Sequence, residues 1–337
     1  MLKKSILKAL LVGALGMGLV SPVSAEEVVN VYSARIDKLI KPAFDAFTEE
    51  TGIKVRFTTA KAPVLLERLR YEGRHTEADL LITVDAGNLW HAANAGVLQG
   101  VKTPTLSTNV PENLTDPEGK WYGLTVRSRT IVYSPERVKP EELSTYEALG
   151  DPKWKGRLCL RTSKKVYNKS LVATMIASAG YDETAKVLEN WMKNEPIIHP
   201  KDSGVLKAIA AGQCDVGIVN TYYLGRELKK NPNFPVALFW ANQEGRGAHV
   251  NISGAGVTKH AKNKANAIKL LEFLSSEKAQ NLFADENMEY PVNPKVSASS
   301  LVTKWWGDDF KMDQVNLRFA GRFQAMATKF MKRAGYK

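Results

Sequence analysis

The sequence Ala78-Asp79-Leu80-Leu81-Ile82-Thr83-Val84-Asp85 decides the fold class, because it is an apolar run of strand length between two helical segments. A strand that is apolar on both faces is typical of a parallel sheet covered by helices. Two further strands precede it, at residues 28–33 and 53–57, and a segment with helical spacing of apolar residues follows each. This βαβαβα order predicts an α/β fold with helices on both faces of a parallel sheet.

Two long extended stretches change this pattern, one at residues 121–133 and the other at residues 249–257. A second α/β block lies between them, with predicted strands near 158–161 and 215–220. Two long crossings between two α/β blocks predict two lobes joined by a pair of hinge strands. The cleft between such lobes is the expected binding site, and it closes by hinge motion.

The predicted lobes are discontinuous in sequence. We expect the first lobe to comprise residues 26–125 and about 250–300. The second lobe then comprises residues 126–249 and C-terminal helices at about 301–337.

Residues 1–25 have the pattern of a secretory signal sequence. Lys3 and Lys4 precede an apolar segment, and Val23-Ser24-Ala25 matches the small-x-small cleavage pattern. The apolar segment is shorter than the ~20 residues that a membrane-spanning helix needs. We therefore expect cleavage after Ala25 and a soluble protein in the periplasm.

The net charge of +12 arises from 47 basic and 35 acidic residues. The basic residues are scattered, without a run of five or a stretch interleaved with aromatic residues, so the sequence does not indicate nucleic-acid binding. A basic field favours an anionic ligand.

The chain has two cysteines, Cys159 and Cys214. An even pair in an exported chain is typical of one disulfide, which would link two segments of the second block. A cysteine metal site is the less favoured alternative, because it needs more thiols or nearby histidines.

Two adjacent tyrosines, Tyr222 and Tyr223, follow the apolar run at residues 215–221, and a helix is predicted to open at Leu224. Neighbouring side chains on a strand point to opposite faces, but a strand-to-helix turn removes that restriction. Open α/β sheets bind ligands in crevices at the carboxyl ends of their strands. Two phenols aimed at one point suit a hard, highly charged cation. The alternative is that one ring lies in the core and the other on the surface.

Five fragments in a fixed order carry a family likeness. They are Val31-Tyr32-Ser33-Ala34-Arg35, Glu72-Gly73-Arg74-His75 with residues 78–87, Tyr122-Gly123-Leu124 with Arg127 and Arg129, Lys165-Val166-Tyr167-Asn168, and residues 217–225. Behind a signal sequence, these fragments resemble the periplasmic ferric-ion-binding proteins of bacterial ABC iron importers. The resemblance covers nearly all of the chain after residue 25.

The resemblance implies a two-lobed, type II (transferrin-like) periplasmic-binding-protein fold with Fe³⁺ held in the cleft by tyrosine phenolates. Matched motif to motif, the metal ligands fall on Tyr167, Tyr222 and Tyr223, and the anion-pairing arginine falls on Arg127. The two cysteines match a disulfide of the family. The implied protein is a monomeric carrier, not an enzyme, which delivers iron to an inner-membrane ABC permease.

One departure concerns the first lobe. Many relatives have a histidine and a tyrosine after the Tyr-Ser-x-Arg start, where this chain has Ile36 and Asp37. Ile36 cannot bind a metal, and Asp37 differs in length from the residue that it replaces. The sequence therefore resembles the branch that uses three tyrosines and completes the shell with carbonate or a similar anion.

Ferric chemistry agrees with these residue types. Fe³⁺ is a hard cation that prefers charged oxygen ligands. Three phenolates neutralise it and leave positions for a bidentate anion, which a planar guanidinium such as that of Arg127 can pair. Arg129 lies two residues further on the same face of a strand, and Arg35 ends the first strand, so both are further candidates for the anion site.

Two alternatives remain at this point. The same fold could carry an inorganic anion or an organic cation, because a fold does not determine its ligand. A secreted enzyme is disfavoured, since the sequence has no Gly-x-Ser-x-Gly and no His-Glu-x-x-His motif.

Overall fold

A computed structural model of the protein describes residues 27–307 and 309–337, apart from the side chains of residues 284–287. The predicted signal sequence at residues 1–25 lies outside the described residues. None of the described helices combines the length and the apolar character that crossing a bilayer requires.

The described strands form one mixed sheet. They are β1 (Val28–Ser33), β2 (Lys54–Thr59), β3 (Leu80–Val84), β4 (Tyr122–Tyr133), β5 (Leu158–Arg161), β6 (Ile197–His199), β7 (Val216–Asn220), β8 (Ala237–Phe239), β9 (Val250–Val257) and β10 (Tyr290–Pro291). The main order is β2-β1-β3-β9-β4-β7-β5-β6, and both β8 and β10 pair with β4. Strand β1 pairs in parallel with β2 and β3, as the βαβαβ order predicts.

The α-helices of the described chain follow the strands in alternation through most of the sequence. They are α1 (Asp37–Thr51), α2 (Ala62–Glu72), α3 (Ala86–Asn94), α4 (Pro104–Asn109), α5 (Val166–Ala179), α6 (Tyr181–Lys193), α7 (Asp202–Ala210), α8 (Thr221–Lys230), α9 (Lys264–Ser275), α10 (Glu277–Asn287), α11 (Ser300–Trp306), α12 (Arg318–Arg322) and α13 (Gln324–Arg333). Helix α1 ends at Gly52, whose φ of 73° lies in the left-handed region that favours glycine.

Strand β4 connects the two groups of strands. Its first half, Tyr122–Ser128, pairs antiparallel with β9, and its second half, Arg129–Tyr133, pairs antiparallel with β7. Strand β9 pairs with β3 along its other edge. At Gly254 of β9, a Cβ atom would lie 2.4 Å from the carbonyl oxygen of Tyr122, so the close approach of these strands requires glycine. The two long extended crossings predicted from the sequence are confirmed as β4 and β9.

Most buried apolar side chains pack into two large clusters that meet along β4, and a third, smaller cluster contains Val132 of β4 with residues of α7. The first contains buried residues of β1, β3, β9 and α1, together with Val126 of β4. The second contains buried residues of β5, β7, α5 and α6, together with Ile131 of β4. This division places a boundary between apolar cores within one strand, as expected for a hinge.

The C-terminal segment, expected as a whole in the second lobe, divides between these clusters. Val302, Phe310 and Leu317 pack in the first cluster, whereas Phe330 and Met331 pack in the second. The reason is that α12 contacts both α3 and α5, so the chain passes from one cluster to the other at this short helix. The expected lobe boundaries elsewhere in the chain stay a prediction.

The predicted disulfide joins Cys159 of β5 to Cys214, which precedes β7. The Sγ–Sγ distance is 1.99 Å and the Cα atoms are 5.9 Å apart. Because β5 and β7 are paired neighbours, the bridge links two adjacent strands of the second cluster.

Candidate metal centre

A cavity of about 230 Å³ lies where the end of β1, the middle of β4 and the first turns of α5 and α8 meet. Its charged and phenolic lining consists of Arg35, Arg127, Tyr167, Tyr222, Tyr223, Arg226 and Glu289. The structure therefore brings together the three tyrosines that the sequence singled out, although Tyr167 and Tyr222 are 55 positions apart in the chain.

Tyr222 and Tyr223 occupy the first turn of α8. The helix begins at Thr221, three residues before the predicted start at Leu224. Consecutive residues of a helix differ by about 100° in direction, so both rings can line one cavity. Their ring centroids are 4.6 Å apart with an interplanar angle of 34°. Tyr222 is buried, and Tyr223 is half-buried.

Tyr167 is the second residue of α5, which begins at Val166. A surface position in a basic loop was the alternative for this residue, but the structure places it in a helical turn that lines the cavity. Three cations surround its ring: the Nζ of Lys165 is 4.8 Å from the centroid, and the guanidinium carbons of Arg161 and Arg127 are 5.4 and 5.5 Å away. The ring of Tyr167 is therefore packed among three cationic side chains.

Two helix N-termini therefore point at one cavity. The first turn of a helix carries a partial positive charge from its unpaired N–H groups. Neither Lys165 nor Asn220, the N-cap residues of α5 and α8, makes a side-chain capping hydrogen bond. The partial charges of both helices thus add to a positive field that favours an anion in this cavity.

Burial opposes ionisation of Tyr222 in the absence of a metal. Desolvation raises the pKa of its phenol well above 10, and the neighbouring Tyr167 and Tyr223 raise it further. Arg127 acts in the opposite direction, but the net shift is upward. Tyr222 is therefore neutral at pH 7 until a strong cation enters, because a bound cation favours the charged form.

Arg127 is buried on the hinge strand β4 and faces the cavity. Neither its Nη1 nor its Nη2 atom has a hydrogen-bond partner among the described residues. The nearest carboxylate oxygen, Oδ2 of Asp85, is 3.8 Å from Nη2. Buried donors normally have partners, so these two donors mark a place for an oxygen-bearing anion.

Both carboxylate oxygens of Asp85 already accept hydrogen bonds from other residues. Its Oδ1 accepts hydrogen bonds from the backbone N–H of Gly87 at 2.9 Å and the hydroxyl of Ser170 at 2.6 Å, and its Oδ2 accepts from Asn251 at 3.1 Å. Burial raises the pKa of this carboxyl, although Arg127 and these donors oppose the shift. Asp85 therefore supplies Arg127 with a counter-charge but leaves its donors free.

Arg35 and Arg129 are differently placed. Arg35 lines the cavity, but its Nη2 donates to Glu289 at 2.9 Å and its Nη1 donates to Thr125 at 3.1 Å. Arg129 does not line the cavity. Its guanidinium donates to Asp202, Asn168, Asn220 and the carbonyl of Ile218. Alternation along a strand predicts a shared face for Arg127 and Arg129, but the change of partner strand between them, from β9 to β7, gives their side chains different surroundings.

The first-strand departure at Ile36 and Asp37 is visible in the structure. Ile36 lines the cavity with 59% of its surface exposed, whereas Asp37 accepts a hydrogen bond from the hydroxyl of Thr59 at 2.6 Å and does not line the cavity. Within the described residues, no three His, Cys, Asp or Glu side chains cluster as metal ligands. The oxygen donors of this site are therefore mainly phenols.

Two charged residues of the lining were not predicted as site residues. Arg226 lies over the rings of Tyr222 and Tyr223, at 4.9 and 5.6 Å from their centroids. In a helix that begins at Thr221, residues four apart lie on the same face, so the sequence position of Arg226 relative to Tyr222 indicates this contact. Glu289 comes from a distant segment with no motif, so only the tertiary structure reveals it.

Comparisons with known proteins agree with this site. The bacterial extracellular solute-binding protein family matches residues 76–310. Iron uptake protein A1 of Synechocystis sp. (strain ATCC 27184 / PCC 6803 / Kazusa) is 43% identical over 321 residues, which are 93% of this chain and 88% of that protein.

Solved structures show the same fold. The Trichodesmium protein IdiA (FutA), in complex with iron and citrate ligands, has a TM-score of 0.88 and 40% identity and covers 92% of this chain and 100% of that chain. Ferric iron-binding protein A of Mannheimia haemolytica, in an open conformation, has a TM-score of 0.86 and 37% identity and covers 92% of this chain and 99% of that chain. The predicted two-lobed α/β fold and the resemblance to ferric-binding proteins are thereby confirmed, and these relatives are binding proteins, not enzymes. The chain belongs to the bacterial extracellular solute-binding protein family.

Proposed function

We propose that this protein is a periplasmic carrier that binds Fe³⁺ and delivers it to an inner-membrane ABC permease. One observation carries the proposal: three phenols converge in one cavity beside a buried guanidinium with two unpartnered donors. The relatives are named for iron uptake and ferric-iron binding, which supports the same ligand.

The proposed ligands are the phenolate oxygens of Tyr167, Tyr222 and Tyr223. Three phenolates balance the charge of Fe³⁺, and a bidentate anion such as carbonate fills further positions in the shell. Arg127 pairs this anion through its two free donors. Arg35 lines the same cavity and adds positive charge beside it, although Glu289 partly offsets that charge. Arg129 does not line the cavity, and it adds positive charge from behind the cavity wall.

The proposed location follows from the signal sequence, with cleavage after Ala25. A monomer with two lobes presents its cleft to the permease, and hinge strands β4 and β9 allow the lobes to close. All three tyrosines lie on α5 and α8, so the metal loads on the second lobe before any closure.

Reconstitution tests the proposed ligand. The mature protein is stripped with a chelator and reloaded with ferric citrate in bicarbonate buffer. An orange to red colour from phenolate-to-iron charge transfer is the expected result. A protein that stays colourless rejects the ferric proposal and favours a carrier of an inorganic anion or an organic cation in the same fold.

The anion is tested by omitting bicarbonate and by the variant Arg127→Gln. We expect the wild-type protein to lose iron affinity without bicarbonate, because positions in the shell then lack a charged ligand. Arg127→Gln should bind iron more weakly and respond less to bicarbonate. The matched control is Arg70→Gln, since Arg70 is exposed on α2. If the wild-type protein binds iron equally well with and without bicarbonate, the proposal that an anion completes the metal shell is rejected.

A further inference from the structure

A buried carboxylate lies behind the cavity wall and holds two arginines. Asp202 is the first residue of α7, and its side chain is fully buried. Its Oδ1 accepts a hydrogen bond from Nη1 of Arg129 at 2.6 Å, and its Oδ2 accepts one from Nη1 of Arg161. Both guanidiniums are also buried, so each depends on this single carboxylate for its counter-charge.

The first arginine connects Asp202 to the oxygen of Tyr222. Nη1 of Arg129 also donates to Oδ1 of Asn220 at 3.1 Å, and Nδ2 of Asn220 donates to the hydroxyl oxygen of Tyr222 at 3.1 Å. Because Arg129 occupies the amide oxygen, the amide N–H group must face the phenol. Asn220 is therefore oriented as a donor, which suits a phenol oxygen that has lost its proton.

The second arginine connects Asp202 to Tyr167. The guanidinium carbon of Arg161 lies 5.4 Å from the ring centroid of Tyr167. Asn168, which follows Tyr167 in α5, accepts from Nε of Arg129 at 2.8 Å and donates to the carbonyl of Arg161 at 2.7 Å. The start of α5 is thus joined to both arginines.

We propose that Asp202 is a positioning residue for the tyrosines, which acts by fixing Arg129 and Arg161 and, through them, Asn220 and the first turn of α5. This inference rests on the proposed ferric function. An asparagine at position 202 keeps one acceptor oxygen and replaces the other with an NH2 group, so one of the two guanidiniums then faces a donor instead of an acceptor. At least one arginine then moves, and a phenol loses its support.

The test compares Asp202→Asn with a matched control, Asp215→Asn. Asp215 also holds two arginines of the same lobe, since it accepts from Nε of Arg137 and Nε of Arg157, each at 2.6 Å. None of these three residues lines the cavity. Iron affinity is measured by competition with citrate, the charge-transfer band by absorbance and the folded state by thermal unfolding.

We expect Asp202→Asn to lower iron affinity by about tenfold or more and to shift the charge-transfer maximum, as is usual when the support of a metal ligand is removed. Asp215→Asn should leave the band unchanged and the affinity within about twofold. A purely structural role would lower the unfolding temperature of both variants and shift neither band.

An unchanged band and affinity in Asp202→Asn, or equal changes in both variants, would overturn the inference. If Asp202→Asn does not fold, Asn220→Ala decides, because it removes the donor to Tyr222 and the link to Arg129 while Asp202 and both arginines stay in place. A shifted band then supports the inference, and an unchanged one rejects it. If the wild-type protein shows no charge-transfer band, the proposed ferric function is rejected. Failure of that function is thereby distinguished from failure of the inference about Asp202.

Discussion

The surroundings of Tyr222 oppose an ionised phenol as long as no cation is bound. Tyr222 is the most buried of the three tyrosines, and it interacts with both of the others. Without a metal, its proton prevents an uncompensated charge in the cavity wall. With Fe³⁺ present, the same burial strengthens the attraction between phenolate and metal.

The variant Tyr222→Phe removes one phenolate and keeps the ring. We expect iron affinity to fall more than about 100-fold, equivalent to about 3 kcal/mol, because a charged ligand is lost from a buried site. Competition with citrate measures the change. The control is Tyr71→Phe, since the Tyr71 side chain is 93% exposed. Equal affinities of Tyr222→Phe and wild type would remove Tyr222 from the ligand set.

Asp37→Ala tests the opposite expectation for the first lobe. The Asp37 carboxylate bonds to Thr59 and does not line the cavity, so iron affinity should change less than about twofold. A loss comparable to that of Tyr222→Phe would show that Asp37 binds the metal and that three tyrosines are not the whole protein ligand set.

His249 makes the stability of the fold sensitive to acid. Burial, followed by the charges of Arg129, Arg246 and Arg127, lowers its pKa from 6.5 to about 3. The unfolded chain therefore binds a proton below pH 6.5 that the folded protein does not bind. Its contribution to stability is complete above pH 6.5 and falls by about 1.4 kcal/mol per pH unit down to pH 3.

Chemical denaturation between pH 7 and pH 4 measures this contribution. His249→Gln should flatten the pH dependence of the unfolding free energy, because glutamine does not titrate. His260→Gln, at an exposed position, should retain the wild-type dependence. Parallel curves for wild type and His249→Gln would contradict the assignment.

At the scale of elements, the site is formed where two helices begin. Tyr167 is the second residue of α5, and Tyr222 and Tyr223 are the second and third residues of α8. Both helices follow segments of the second lobe's paired strands β5 and β7, so their first turns lie at the carboxyl ends of neighbouring strands. The disulfide links Cys159 of β5 to Cys214 just before β7, away from the carboxyl ends of these two strands.

Replacing both cysteines, as Cys159→Ala with Cys214→Ala, tests the role of this bridge. The bridge closes a loop with a sequence separation of 55. We expect the unfolding free energy to fall by about 2–4 kcal/mol, because the unfolded chain gains conformational freedom. Urea denaturation of the double variant and of the oxidised wild type measures the difference. A change below about 0.5 kcal/mol would contradict a stabilising bridge.

At the scale of the whole molecule, metal binding is coupled to proton release. A free phenol is neutral at pH 7, and burial raises the pKa of Tyr222 further. Each phenol that binds Fe³⁺ must release its proton. Iron affinity should therefore rise with pH, by up to about three decades per pH unit if three phenols bind.

Competition with a chelator of known pH dependence, between pH 5 and pH 8, gives this slope after correction for the chelator. Tyr222→Phe should reduce the slope by about one decade of affinity per pH unit, because the variant releases one proton fewer when iron binds. A pH-independent affinity of the wild-type protein would show that the metal is not bound by phenolates.

The sequence by itself determined the α/β class, the two long crossings and the pairing of the two cysteines. These depend on short-range apolar patterns and on the number of thiols, which are readable along the chain. It also predicted three tyrosines as metal ligands: Tyr222 and Tyr223 through their adjacency at a strand end, and all three through family resemblance. It did not place the start of α8, because the turn into this helix has no side-chain cap to mark it.

The two arginines of β4 were separated by the tertiary structure. The family resemblance favoured Arg127 for the anion, and Arg129 was a further candidate on the same face of a strand. Because β4 changes its partner strand between them, Arg127 faces the cavity and Arg129 is held by Asp202. Glu289 and Asp202 also enter through contacts between distant segments. Such contacts depend on how strands and helices pack in space, and no local pattern in the sequence records that packing.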